Sequence, residues 1–317
     1  MDDSDYKQHA VFSQTFTVIT TPLADACSVA MDAVFMRKTG IVFYGLARLG
    51  KSRCAEVLKS RLSGFMPRAY VTQIEVLRNE SYTSNIAVQI GLEEGCEFKQ
   101  RSELAVLRFE RIVNAIEFKC KERNCNQWVL LLDEFQRLRV FDLHQLADMF
   151  NMLHRKGIIM TVISFAMPGV FKLKEKARKD DDAAKLISRF MSEFIEFAGC
   201  RKKSELKLIL DAVDSSSDYT HSNGLTCTQS LVPAAYSHGF RLANYTDEIW
   251  KALQFMAFGA YKRNLPLEHV FRTIGYVLRQ CKNHDRPFLE LTTHDIEKAV
   301  SRSNIANFTK ENGDKIA

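Results

Sequence analysis

Ile41-Val42-Phe43-Tyr44-Gly45-Leu46-Ala47-Arg48-Leu49-Gly50-Lys51-Ser52 is the stretch that decides the fold of this 317-residue chain. Its first four residues are apolar, too few for a helix, and flanked by Gly40 and Gly45, which reads as a buried strand. From Lys51 to about Leu62 the spacing turns helical. Between the two, Gly45 to Ser52 fits G-x-x-x-x-G-K-[ST], in the strand–turn–helix context its chemistry needs. Glycine at both ends permits backbone conformations that side chains block. The peptide N–H groups can then line an anion nest at a helix N-terminus. The expected phosphate contacts are Gly45, Leu46, Ala47, Arg48, Leu49, Gly50, Lys51, Ser52 and Arg53. Lys51 brings a point charge to the β- and γ-phosphates, and the Ser52 hydroxyl offers an oxygen to Mg2+.

Outward from that stretch, short apolar runs alternate with helical patterns. Ala69 to Leu77, Trp128 to Leu132 and Ile158 to Ser164 read as strands; Trp128-Val129-Leu130-Leu131-Leu132 is continuously apolar, as in a strand covered on both faces. Helices are expected from Leu23 to Met36 after the start signal Thr21-Pro22, with Gly40 as the stop. Others are expected over Ser81 to Gly91, 101–123 and His144 to His154, the last with Gly157 as its cap. This alternation predicts a three-layer α/β domain around a parallel sheet. After about residue 200 the strand pattern stops. Helices are expected over 202–213, 228–236, 240–260, 266–281 and 293–303. The domain reading is an N-terminal extension over 1–20, β-like and draped over the domain that follows, an α/β domain over 21–200, a helical lid over 201–303 and a mobile polar tail over 304–317.

The strand of leucines ends in Asp133-Glu134. Carboxylates at a strand's carboxyl end sit where open α/β sheets bind ligands. Asp133 is expected to hold Mg2+ and Glu134 to orient and partly deprotonate an attacking water. Ser164, at the end of the next strand, is a candidate contact to the γ-phosphate or that water. Arg189, after the last strand, is a candidate for stabilising charge on a neighbouring subunit's nucleotide. Arg241, in Gly239-Phe240-Arg241 at a helix start, is a candidate for closing the lid on the phosphates.

Composition bounds the rest. Hydrophobic residues make up 46% and charged residues 26%, so the chain can bury a core. The net charge of +6 permits a polyanionic partner without demanding one. The 8 cysteines include no C-x-x-C, which argues for free thiols in a reducing cytoplasm. No run of about 20 apolar residues is present for a membrane span, and the acidic start Met1-Asp2-Asp3-Ser4-Asp5 has no apolar leader core.

Taken together, the phosphate loop, the acidic pair in Leu130-Leu131-Leu132-Asp133-Glu134-Phe135-Gln136-Arg137-Leu138, the segment 161–170 (TVISFAMPGV) and Ser188-Arg189-Phe190 resemble the AAA+ ATPases. More narrowly they resemble the TnsC/TniB regulators of transposition, over roughly residues 20–250. The resemblance implies ATP and Mg2+ bound between subunits, slow hydrolysis, and assembly into rings or filaments on duplex DNA. It further implies recruitment of a transposase, in some cases with a TniQ-like adaptor and an RNA-guided complex, in a bacterial cytoplasm. ATP rather than GTP rests on the resemblance. Glu134, Lys51 and Arg189 are then the expected catalytic residues, with Lys185 and Arg201 competing with Arg189 for the arginine-finger role. The same resemblance points to the segment after the second strand for DNA contact, where Arg78, Lys99 and Arg101 are the candidates. A solvated helix face is the alternative there. So is a solvated or subunit-facing loop for the basic run 172–179. An AAA+ replication initiator or helicase loader, and a signalling or scaffold NTPase that touches no nucleic acid, are the competing functions.

Overall fold

The computed structural model describes residues 9–13, 17–78, 85–98, 105–215 and 224–313. They divide into two units: a sheet unit of residues 25–46 and 51–197, and a helical unit of residues up to 24, 47–50 and 198 onward.

The sheet unit holds five strands: β1 Gly40–Tyr44, β2 Tyr70–Glu75, β3 Gln127–Asp133, β4 Ile159–Ala166 and β5 Phe194–Glu196. All pair in parallel, in the order β2-β3-β4-β1-β5. β3 is buried at every residue, as its unbroken apolar run requires when helices cover both faces. Alternate residues of each strand point to opposite faces. Val42, Leu130, Leu132 and Val162 join one core with Ile86 and Ile90, Ile112 and Ile116, and Leu143 and Leu146. Those six come from α4 Ile86–Glu93, α5 Ala105–Glu122 and α6 Val140–Arg155. The opposite set, which includes the stacked Phe43 and Phe165 rings 5.4 Å apart, lies under α3 Lys51–Phe65. Next to α3 runs α2 Thr21–Phe35, where Cys27 Sγ lies 4.0 Å from Cys54 Sγ.

A buried carboxylate ties the far side of the sheet together. Glu94, at the end of α4, accepts from Tyr70 (2.7 Å), Thr72 (2.5 Å) and Lys119 (2.8 Å). Three donors satisfy a charge that burial would otherwise make costly.

Several expectations are corrected. Gly40 does not stop α2; that helix ends at Phe35, Arg37 takes a left-handed conformation (φ 55°), and Gly40 opens β1. Gly40 is needed because a Cβ there would lie 2.4 Å from the Arg189 carbonyl oxygen. The helix expected to end at Gly91 runs on to Glu93. The basic run 172–179, expected to be a loop, lies mostly in α7 Val170–Ala177. β4 is not the last strand: α8 Ala183–Phe190 and then β5 follow it.

In the helical unit, α1 Ala10–Ser13 is helical rather than β-like, and Val11 and Phe12 pack near Gly275. The unit continues through α9 Lys203–Ser215, α10 Cys227–Leu231, α11 Pro233–Ser237 and α12 Thr246–Met256. It ends with α13 Leu267–Asn283, α14 Thr293–Arg302 and α15 Ile305–Gly313. The stretch expected to be a polar tail is therefore largely α15. Ile305 is fully buried, and the Thr309 hydroxyl accepts from the Phe258 N–H at 3.0 Å. Asp214 holds the unit's centre, accepting from Thr228 Oγ1 (2.6 Å) and from the N–H groups of Leu242 (3.1 Å) and Ala243 (2.9 Å).

Candidate nucleotide-binding site

Because every strand is parallel, the carboxyl ends of β1 and β3 open on the same edge of the sheet, with β4 between them. The phosphate loop leaves the first, and Asp133-Glu134 ends the second.

Lys51 begins α3 and is buried. Its Nζ donates to the carbonyl oxygens of Gly45 (2.9 Å) and Leu46 (2.6 Å). Burial pulls its ammonium down to about 8 from an ordinary 10.5, against the charges of Glu134 and Asp133, which raise it. The lysine and both acids thus share one electrostatic environment. Asp133 is buried at 5% exposure, Glu134 is half-buried, and the Ser52 side chain is exposed.

Glu134 sits at φ 58°, ψ 34°, a left-handed conformation uncommon for a residue with a side chain. Its N–H donates to Asp133 Oδ1 at 2.8 Å, and Gln136 Nε2 and Arg137 Nη2 reach its Oε2 at 2.9 and 3.0 Å. Gln136 also accepts from the Met167 N–H at 2.8 Å, just past β4. Arg137 extends to Glu75 (3.2 Å) and the Val76 carbonyl (3.0 Å), at the end of β2. The carboxylate is therefore anchored to the ends of two neighbouring strands. Gln136 and Arg137 follow Glu134 by two and three residues; that spacing was visible in the sequence, but their partners were not.

Left-handed conformations in the loop fall on Gly50 (φ 99°) and on Arg48 (φ 64°), not on Gly45. Leu46 and Leu49 point inward and are buried. Residues 47–50 belong to the helical unit by their contacts. Arg48 pairs with Glu268, its guanidinium lies 5.6 Å from the Phe308 ring centroid, and the Tyr261 hydroxyl donates to the Ala47 carbonyl at 3.3 Å. No local sequence signal marks Glu268 or Tyr261. Arg53 instead pairs along its own helix with Glu56 at 2.6 Å.

Two candidates lie elsewhere in the fold than expected, and Arg241 stands at a helix start as expected. Ser164 is not at the end of its strand, because β4 runs on to Ala166 and Ser164 is level with Leu132, one residue short of Asp133. Its hydroxyl is fully buried, with no hydrogen-bond partner among the described residues. Arg189 lies before the last strand, on α8, with its guanidinium 4.5 Å from the Phe150 ring centroid and Nη1 buried without a hydrogen-bond partner among the described residues. Arg241 donates to the carbonyls of Tyr236 (2.9 Å) and Phe240 (2.6 Å) and lies 3.5 Å from the Tyr236 ring centroid. Arg78 is exposed just beyond β2, and Lys99 and Arg101 lie outside the described residues.

A buried lysine, an exposed hydroxyl and two acids thus lie along the carboxyl-end edge of one parallel α/β sheet. No protein-family model matches the sequence, and no curated protein matches it. Solved structures do. The Aeropyrum pernix ORC2 protein in its ADPNP–ADP complexes superposes with a TM-score of 0.57 at 15% identity, over 91% of this chain and 68% of that one. Its ADP form gives 0.56 at 14%, over 90% and 69%. The Drosophila ORC bound to DNA gives 0.54 at 12%, over 90% and 70%. The chain has the AAA+ fold: a parallel five-stranded α/β domain followed by C-terminal helices.

Proposed function

We propose that this chain is an ATP-dependent, DNA-binding AAA+ regulator that oligomerises on target DNA and recruits or activates a transposase. The observation that carries the nucleotide part is the buried Lys51 amine in the field of Asp133 and Glu134. Gly45 to Arg53 hold the phosphates, with Lys51 exchanging its two carbonyl partners for phosphate oxygens. Ser52 and Asp133 are the oxygen donors suited to Mg2+, a hard cation that neutralises phosphate charge when bound. Glu134, steadied by Gln136 and Arg137, orients water for slow hydrolysis. Arg189 serves in trans once it leaves Phe150, with Lys185 and Arg201 as competitors, and Arg241 closes the helical lid, residues 201–303.

The transposition role rests on the sequence resemblance to the TnsC/TniB regulators, with a TniQ-like adaptor as a further partner. Arg78, with Lys99 and Arg101, is suited to backbone phosphates of duplex DNA, where contacts discriminate little between sequences and depend strongly on salt. ATP between subunits stabilises the assembly, and loss of the γ-phosphate loosens it. The test is assembly size on duplex DNA with a slowly hydrolysed ATP analogue, with ADP, and with ATP in Glu134→Gln. Large assemblies are expected with the analogue and in Glu134→Gln, and small ones with ADP. A size indifferent to nucleotide refutes the switch.

A second reading, a replication initiator or helicase loader, is favoured by the similarity in fold to the ORC structures. Stimulation of helicase loading without effect on strand transfer by a transposase would select it. A DNA shift absent at every salt concentration would select a scaffold NTPase instead.

A further inference from the structure

Two thiols meet where α5 ends. Glu122 is the last residue of that helix, and Asn124 beyond it takes a left-handed conformation (φ 49°). The Cys125 N–H donates to the Cys120 carbonyl at 2.9 Å, and the Asn124 N–H to the Lys121 carbonyl at 3.0 Å. These nested bonds form a Schellman motif, in which side chains at the positions of Cys120 and Cys125 commonly pack together. Covalent lengths added to a 2.9 Å hydrogen bond hold the two Cα atoms within about 7 Å, the limit a disulfide spans. Burial, and then the adjoining Cys125 thiol, pushes the Cys120 thiol up to about 12. Access divides the pair. Cys125 is half-buried, whereas Cys120 and the other six of the 8 cysteines are buried. Cys27 and Cys54 also lie close, at 4.0 Å, but both are fully enclosed.

We propose that Cys120 and Cys125 form a redox modification site for a hydroperoxide, which is taken up at Cys125 and resolved by Cys120 as an intrachain disulfide. In the first step the Cys125 sulfur attacks a peroxide oxygen. The O–O bond breaks, an S–O bond forms, the sulfur loses two electrons, and the peroxide is reduced to water or an alcohol. The Cys120 sulfur then attacks the Cys125 sulfenic acid. The S–S bond forms as the S–O bond breaks, and the hydroxyl leaves with the Cys120 proton as water. Thiol reductants reverse the product. Burial keeps Cys120 protonated and enclosed, so it is not the thiol that meets the oxidant; it needs only to reach the sulfur beside it. The same protonation slows the second step, so the sulfenic acid persists long enough to be trapped. Cys125 lies two residues before β3, at the opposite end of that strand from Asp133, so this inference stands apart from the proposed ATP switch.

The test treats the reduced full chain with hydrogen peroxide and stops the reaction with catalase. The remaining thiols are alkylated in denaturant, and the unreduced tryptic peptides are mapped by mass spectrometry. Lys121 and Arg123 lie between the two cysteines, so trypsin separates them unless a disulfide holds the peptides together. The expected product is a Cys120–Cys125 link, two hydrogens lighter than the dithiol and lost on reduction, in a chain that runs as a monomer on a non-reducing gel. The other six cysteines should be alkylated. Dimedone added with the peroxide should label Cys125. Cys120→Ala should stop at the sulfenic acid and carry the same label, and Cys125→Ser should leave Cys120 unoxidised. The inference is overturned by an unmodified Cys125, by a sulfinic acid there with no link to Cys120 at any peroxide dose, or by a link to another cysteine or to a second chain. Oxidation of Cys120 in Cys125→Ser overturns it too. Cys125 is not buried, so that variant and the wild-type map decide the matter even if Cys120→Ala does not fold.

Discussion

The proton on Lys51 is the sensitive point of the nucleotide site. Its ammonium is buried against two carbonyl oxygens and holds its proton only up to about pH 8. A triphosphate placed beside it would keep it charged well above that, because an opposite charge within hydrogen-bonding distance favours the protonated form. Nucleotide binding should therefore take up a proton wherever the free protein has lost it. The uptake works out at about 0.1 proton at pH 7, about half a proton at pH 8 and about 0.9 at pH 9. Affinity should be level below pH 8 and fall about tenfold per unit above it. The assay is calorimetric titration with a non-hydrolysed ATP analogue at matched pH, in buffers of different ionisation enthalpy. Lys51→Arg, whose guanidinium stays charged throughout, should bind without uptake. The reasoning is refuted if the wild type takes up no proton at pH 9, or if Lys51→Arg takes up as many. The same depression carries a stability cost with a definite sign. Below pH 8 the lysine is charged in both folded and unfolded chains, and burying it costs about 3 kcal/mol, at about 1.4 kcal/mol per pH unit of displacement. As pH rises from about 8 towards 10.5 the folded protein sheds the proton while the unfolded chain keeps it, so the cost fades and stability from this group increases.

Three further outcomes follow from the packing. Gly199→Ala would put a Cβ 2.3 Å from the Leu265 carbonyl and 2.8 Å from Leu49 Cδ2; a loss of about 1–3 kcal/mol is expected, and an unchanged denaturant midpoint contradicts it. Asp214→Ala leaves the amides of Leu242 and Ala243 without their acceptor, for a loss of about 2–4 kcal/mol by thermal or denaturant unfolding. Burial, more than any neighbour, raises the Asp214 carboxyl, and its four hydrogen-bond and charge partners oppose the shift. The stability tied to it is thus complete at low pH and declines as pH climbs through the folded-state value. Arg48→Glu and Glu268→Arg should each weaken analogue binding. The double exchange should recover up to about 1 kcal/mol, and purely additive losses would show that the pair does not position the loop.

The fold was legible where the chain speaks locally. An apolar run of four before Gly45, and an unbroken Trp128-to-Leu132 run before Asp133, each fix a strand by pattern alone, since covered parallel strands need no alternation. β5 escaped notice because three residues, two half-buried and one exposed, carry too little pattern to register. The polar composition of α15 hid the two side chains that anchor it, Ile305 and Thr309.

The sequence by itself determined the turn from strand to helix over Gly45 to Ser52, the acidic pair closing its strand and the division into a strand-rich stretch and a helical one, because strand and helix periods are properties of neighbouring residues. Only the tertiary structure decided that Asp133 and Glu134 act on Lys51 across an intervening strand. It alone placed Ser164 inside the core, set Arg189 over Phe150, and tied Arg48 to a glutamate 220 residues away. Those facts depend on strand order and on which helix covers which face, and no short stretch of chain encodes either.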